Sequence, residues 1–161
     1  MYVINKVRFS DIQHMWKDPE MWGDTEFKPV SSMKFYDGVD YHGGNDMSVY
    51  DYELSVPQFL LYQNKGCMSY FKIDRTIRFR GLFVKKEYRG QGISEKLLRY
   101  AISDCQNIFP STSYDFIWAL AGSNSTHVHK KVGFYSVTDK MHELPDGNYS
   151  HHKNGYMRYD L

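Results

Sequence analysis

The sequence predicts one mixed α/β domain, with strands and helices interleaved around a central sheet. Three observations carry this. The chain has 161 residues, the length of one ordinary domain. Short apolar or alternating runs bounded by turn residues recur along it, which is the pattern of strands. One of these runs passes through a glycine-rich turn into a stripe of apolar residues at helical spacing.

Residues 1–9 read as the first strand. Ser10 and Gln13 have the spacing of a capping box, so a short helix is expected to start there, with Ile12, Met15 and Trp16 on its apolar face. Met21, Trp22 and Phe27 suggest a second short apolar face before Pro29. The run from Gln58 to Gln63, a turn at Asn64-Lys65-Gly66 and the run from Cys67 to Ile73 form a hairpin with a loop of about three residues. After a break at Asp74-Arg75, Ile77, Phe79 and Gly81 alternate with Arg78 and Arg80 before the apolar Leu82-Phe83-Val84, a strand with one end buried on both faces. Ile93, Leu97, Leu98, Ala101, Ile102 and Cys105 then make one helical stripe, opening near Gly92 and fading at 107–110. Residues 115–121 read as a second buried strand, 125–132 as a short helix capped by Gly133, 135–144 as a strand, 145–147 as a turn and 155–161 as a last strand. Trp16, Trp22 and Trp118 are assigned to the core.

Hydrophobic residues make up 42% and charged residues 24%, the balance of a folded globular chain rather than a disordered one. The formal net charge of +1 argues against a globally basic nucleic-acid binder. No apolar run approaches the roughly 18–20 residues that span a bilayer, and the first residues lack the apolar region of a signal peptide. A cytoplasmic protein without a membrane partner is expected. Cys67 and Cys105 are expected as two ordinary thiols, and no metal-ligand spacing occurs. His142, His151 and His152 match no ligand set.

Charge is unevenly spread. Residues 65–100 hold ten basic side chains against three acids. From Lys34 to Lys65 there is no intervening Lys or Arg, while Asp37, Asp40, Asp46, Asp51 and Glu53 fall in the gap. That stretch reads either as a solvated loop or as an acidic surface drawing a cationic substrate.

The informative segment is strand, then Lys85 to Ser94, then helix. A glycine-rich turn at a helix N-terminus aims several backbone N–H groups one way and adds the positive end of the helix dipole, which suits phosphate. Gly90 and Gly92 let a ligand approach the backbone. The spacing is neither that of a Walker A loop nor that of a Rossmann fingerprint.

Val84, followed at the proper distance by Arg89-Gly90-Gln91-Gly92-Ile93-Ser94, resembles motif A of the GCN5-related N-acetyltransferases (GNAT), whose Gln/Arg-x-x-Gly-x-Gly/Ala turn binds the pyrophosphate of acetyl-CoA. Ser94 stands where that motif ends in Gly or Ala. Lys131-Val132-Gly133-Phe134 resembles the family's downstream Gly-Phe signature, and Asn124 matches its Asn in kind, two residues closer to the glycine than usual. The resemblance implies the GNAT fold over 1–161, a single mixed, mostly antiparallel sheet flanked by helices. It implies acetyl-CoA as co-substrate and no metal. Leu82, Phe83 and Val84 would lie along the pantetheine arm. Arg89, Gly90, Gln91, Gly92, Ile93, Ser94 and Glu95 would serve the pyrophosphate, with Asn124 nearby. It also implies transfer of an acetyl group to a primary amine, on a small molecule or a protein. A homodimer is expected from the family's habit, with no interface assigned.

Acetyl transfer to an amine needs a deprotonated nucleophile, a donor to the thioester carbonyl and a proton for the leaving thiol. The amide near Val84 suits the carbonyl. His129 occupies the position of the family's general-acid Tyr, four residues before Gly133, with Tyr135 and Tyr114 as substitutes; the competing reading makes it a surface residue of a basic helix. No carboxylate occurs in 75–84 or 116–124 to act as base, and Asp74 and Glu87 are expected to face solvent. This leaves open an accessory protein of the same fold acting through a protein contact. The Arg78/Arg80 alternation reads as a basic face beside the coenzyme pocket; its use for nucleic acid is the weaker alternative.

Overall fold

The computed structural model describes residues 3–16, 57–121, 125–137, 145 and 156–161. Along the chain run β1 (Ile4–Val7), α1 (Phe9–Trp16), β2 (Gln58–Tyr62), β3 (Gly66–Ile73), β4 (Thr76–Val84), one 3-10 turn (Lys86–Tyr88), α2 (Ile93–Ile108), β5 (Phe116–Ala119), α3 (Thr126–Val132), β6 (Tyr135–Val137) and β7 (Tyr156–Asp160). The strands form one seven-stranded sheet in the order β1-β2-β3-β4-β5-β7-β6. Every neighbouring pair is antiparallel except β4–β5, whose parallel pairing is the consequence of the crossover through α2. This is the mixed, mostly antiparallel sheet expected.

The expected β2–β3 hairpin forms with a three-residue loop, but the loop is Gln63, Asn64 and Lys65 rather than 64–66, because Gly66 pairs with Tyr62 and the Lys65 N–H closes the turn on the Tyr62 carbonyl (3.0 Å). Asp74 makes the next turn from the left-handed region, at φ 51°. The six stripe residues of α2 are all buried against the sheet, joined there by Val128, Val132 and Phe134. Ile12 and Met15 of α1 pack separately, against β2 and β3. Tyr70, fully buried on β3, donates to Asp104 of α2 (2.5 Å), and Lys6 of β1 pairs with the same carboxylate oxygen (2.8 Å). Burial and this hydrogen bond push the Tyr70 phenol far up, so it stays a donor. Three elements are thus tied at one point.

The most consequential irregularity lies in β4. Cys67 pairs with Phe83 and Ser69 with Arg80, so Met68 alone on β3 faces both Gly81 and Leu82. The extra residue is a β-bulge, and Gly81 takes it at φ 70°, where a side chain would be strained. Because side chains alternate, one inserted residue exchanges the two faces. Ile77 and Phe79 before the bulge, and Leu82 and Val84 after it, therefore all face the core beneath α2.

Some expectations shift. The first helix begins at Phe9, not after Ser10, and the capping box is not formed. Instead the Asp11 carboxylate accepts the Arg8 N–H (2.9 Å), only half of a reciprocal cap, since Arg8 has no side-chain acceptor to return. The strand at 115–121 is confined to 116–119. Cys67 and Cys105 are both buried free thiols. Trp118 is in the core as expected, fully buried. The expected elements at 21–29, the acidic stretch 37–53, most of 138–155 and the side chains of Trp16 and Trp22 lie outside the described residues.

Gly81→Ala should cost roughly 1–2 kcal/mol, the penalty of a Cβ in the left-handed region. The measurement is the urea midpoint at unchanged slope, and an unaltered midpoint would show that no bulge glycine is needed.

Candidate active site

The site is built on a fork in the sheet. β4 and β5 pair in parallel from Thr76–Phe116 to Phe79–Ala119, and there the pairing ends. Beyond it β4 continues to Val84, paired among the described residues with β3 alone. The Lys85 N–H donates to the Lys65 carbonyl across the β3–β4 pair (2.8 Å). Backbone groups alternate along a strand, so those of Val84 point away from β3, into the fork. Arg89 confirms the direction: its Nε donates to the Val84 carbonyl (3.0 Å), and its guanidinium lies 5.9 Å from the centre of the Phe83 ring.

The fork opens onto the glycine turn. Gly90 and Gly92 both sit at positive φ, 81° and 77°, and a methyl group built on either would meet no protein atom within 4 Å. Gly92 caps α2 without any side-chain hydrogen bond, and the first intrahelical bond runs from Lys96 N–H to the Gly92 carbonyl (3.1 Å). The amides of Ile93, Ser94 and Glu95 therefore have no helical partner and face the open cradle. Ile93 is buried, while Gln91 and the glycines are exposed and Ser94 and Glu95 half-buried. The Glu95 side chain is turned elsewhere: it pairs with Arg99 one turn on (3.1 Å) and with Lys131 of α3 (2.8 Å). Lys131 first, then Arg99, hold its carboxyl below the usual range. The open, glycine-lined cradle with unpaired amides fits a phosphate group.

His129 lies on α3. It is 3% exposed, so the surface reading fails. Its ring stands edge-on to Phe134 at 5.2 Å, and Phe134 in turn meets Phe79, the last residue of β4 paired with β5, at 6.0 Å. Nδ1 bonds the Ser125 carbonyl (2.8 Å), which can only accept, so Nδ1 carries the proton and Nε2 the lone pair. Burial lowers the His129 pKa and favours the neutral ring.

The substitutes for His129 are placed elsewhere. Tyr135 donates to Asp160 across the β6–β7 edge (2.6 Å), and Tyr114 is buried against Phe109 ahead of β5, at the closed end of the fork. Asn124 lies outside the described residues. Asp74 and Glu87 are exposed, as expected. The basic run 65–100 does not form one surface. Lys72, Arg78 and Arg80 are buried, and Arg75 pairs with Asp115 (2.8 Å). Arg78 stacks over Trp118 at 4.9 Å, on the face away from α2. The expected basic face beside the cradle is corrected accordingly: the second face of the sheet is covered, and alternation alone does not reveal cover. Gly81 was not singled out in the sequence, although an isolated glycine within a strand pattern is the signal for a bulge. A groove of about 200 Å³ lined by Arg99, Ile102, Ser103, Gln106, Val132 and Tyr159 lies further along α2 and includes none of the turn residues.

A mixed, mostly antiparallel sheet whose one parallel pair forks toward an uncapped, glycine-lined helix N-terminus defines the class of fold. The chain matches the acetyltransferase (GNAT) domain over residues 51–143, more than half its length, and it belongs to that family. An acetyltransferase of the GNAT family from Staphylococcus aureus MU50 superposes with a TM-score of 0.66 at 15% identity, over 98% of this chain and 99% of that one. The ribosomal-protein-S18-alanine N-acetyltransferase from Escherichia coli gives 0.59 at 12%, over 100% and 94%. N-acetylglutamate synthase from Neisseria gonorrhoeae, complexed with coenzyme A and L-arginine, gives 0.60 at 16%, over 98% of this chain and 32% of that one. At these identities the likeness is one of fold. No curated protein sequence matches the chain. Among the described residues no helix is long and apolar enough to cross a membrane, and no group of three or more His, Cys, Asp or Glu side chains is placed to hold a metal ion.

The His129 geometry has a pH signature. Its folded pKa lies below the unfolded value of about 6.5, so the unfolded chain binds more protons in the window between them. Stability should therefore fall as pH drops from 7 to 5, and less steeply in His129→Asn. Thermal melts of both proteins across this range are the check; parallel slopes would contradict a neutral, buried imidazole.

Proposed function

We propose that residues 1–161 act as one unit that moves an acetyl group from acetyl-CoA to a primary amine, both bound together. The observation that carries this is the continuity of the β4–β5 fork with the open cradle at the start of α2. In this reading the amides from Gly90 to Glu95 hold the pyrophosphate, with Ser94 adding its hydroxyl, and the edge Leu82 to Val84 receives the pantetheine arm. Arg89 holds the strand end against the turn. The co-substrate supplies a thioester: the C–N bond forms as the C–S bond breaks, one amine proton ends on the coenzyme A thiol, and the second proton of the ammonium form goes to solvent.

His129 is the proton-transfer group in this proposal. With Nδ1 committed to Ser125, only Nε2 is available. In the neutral state it accepts a proton from the amine, and the imidazolium so formed gives one to the leaving thiolate, which becomes the thiol. A single residue then serves where a base and an acid are otherwise expected. The acidic stretch 37–53, which favours a cationic acceptor, lies outside the described residues and adds no support here.

A second reading, a coenzyme-binding accessory protein without turnover, is favoured by the lack of any carboxylate in 75–84 and 116–121. Release of free thiol from acetyl-CoA in the presence of an amine separates the two.

Acetyl-CoA at about 100 times its Kd should stabilise the fold by roughly 2.7 kcal/mol. At about 2–4 °C per kcal/mol for a domain of this size, that is roughly 5–10 °C in Tm. Gly92→Glu places a carboxylate in the cradle and should abolish the shift, whereas Gly92→Ala, equally strained at its φ, should keep part of it. No shift in folded wild type would sink the proposal.

A further inference from the structure

Glu95 stands where an acidic side chain competes with the ligand. It lies in the first turn of α2, and its own amide is among those open to the cradle. Helical side chains lean toward the N-terminus, and the positive end of the helix dipole favours a carboxylate there. An unpaired Glu95 would therefore lie over the amides that a phosphate needs and repel it. Two cations turn it aside. Arg99 Nε holds one carboxylate oxygen from one turn further along α2 (3.1 Å), and Lys131 Nζ holds the other from the end of α3 (2.8 Å).

The pair with Lys131 joins two helices. α3 is seven residues long, too short to keep its shape alone, so its place depends on what it docks against. Its buried residues are Val128, His129 and Val132, and Glu95 reaches it from the cradle. With Lys131 68% exposed and Glu95 27%, the pair adds little to the stability of the empty protein. A phosphate in the cradle changes this, because a released carboxylate would then meet a negative charge. The ligand thus penalises loss of the pair, and by reciprocity favours the docked α3.

Resting on the coenzyme-binding reading above, we propose that the Glu95–Lys131 pair couples occupation of the cradle to the docking of α3, the helix that carries His129. Lys131 is then a positioning residue, acting through Glu95 on the cradle and through α3 on the imidazole. Arg99 shares in holding the carboxylate aside but, lying on α2 itself, transmits nothing to α3.

The test uses the full chain and coenzyme A, with two readouts: Kd by titration calorimetry, and hydrogen exchange of the amides of residues 129–134. Lys131→Met should raise Kd about threefold, and Lys131→Met with Arg99→Met about tenfold or more. Adding Glu95→Gln to Lys131→Met should return Kd to the wild-type value or below, because the competing charge is gone; a loss of packing could not be rescued in this way. Lys131→Arg, which keeps a cation within reach, should retain most of the affinity. Saturating coenzyme A should slow exchange of 129–134 about fivefold or more in the wild type, and clearly less in Glu95→Gln/Lys131→Met, which binds without the pair. An unchanged Kd in Lys131→Met/Arg99→Met, no rescue by Glu95→Gln, or equal slowing of exchange with and without the pair would overturn the coupling while leaving coenzyme binding intact. Absence of coenzyme A binding to the folded wild type would overturn the coenzyme-binding reading itself.

Discussion

The point on which the rest of the structure depends is the end of pairing between β4 and β5 after Phe79 and Ala119. Up to that pair the two strands share a ladder; beyond it, no strand among the described residues lies beside that edge of β4. Unpaired backbone in a covered position is costly, so such an edge needs other partners. Arg89 supplies one, by donating to the Val84 carbonyl. The Gly81 bulge makes the departure tolerable. By adding one residue, it keeps Leu82 and Val84 facing the core that Ile77 and Phe79 already occupy, so β4 stays anchored beneath α2 while its free edge leaves β5. A regular strand would have turned Leu82 and Val84 to the other face.

Packing then ties the fork to α3 at two points. At the crotch, Phe79, Phe134 and His129 form a chain of ring contacts that links the last β4–β5 pair to α3. At the mouth, Glu95 bridges α2 to the end of α3 through Lys131. The pairs are exposed, so each contributes little to stability. Their geometric effect is to turn the Glu95 carboxylate away from the cradle, where it would oppose a phosphate. The positive end of α2 is left to the bare amides of its first turn.

Much of this was legible in the sequence because it rests on local rules. The stripe from Ile93 to Cys105 has helical spacing and is buried residue for residue. The hairpin and the Gly133 cap lie where turn and cap chemistry put them, the hairpin turn one residue early, at 63–65, with Gly66 already in β3. The cradle was legible because glycine is the residue that takes positive φ without strain, as 90 and 92 do. What failed depends on neighbours remote in sequence. Arg78 and Arg80 look like a solvated face by alternation, yet a covered second face and the Trp118 ring bury them. His129 looks like part of an exposed basic helix, yet α3 turns it inward onto Phe134. Asp11 rather than Ser10 caps α1 because the helix starts one residue before Ser10, and no local signal sets that boundary to within a residue.

An amine is a nucleophile only when it has lost its proton. Residues 76–84 and 116–119 contain no carboxylate, so on the proposed reading proton removal falls to His129 of α3. Its Nδ1 proton is committed to the Ser125 carbonyl, which leaves the lone pair on Nε2. Burial favours the neutral ring, the form that can accept a proton. A single side chain then holds the proton between the amine that loses it and the thiolate that takes it up, and the edge-on contact with Phe134 fixes the plane in which it does so.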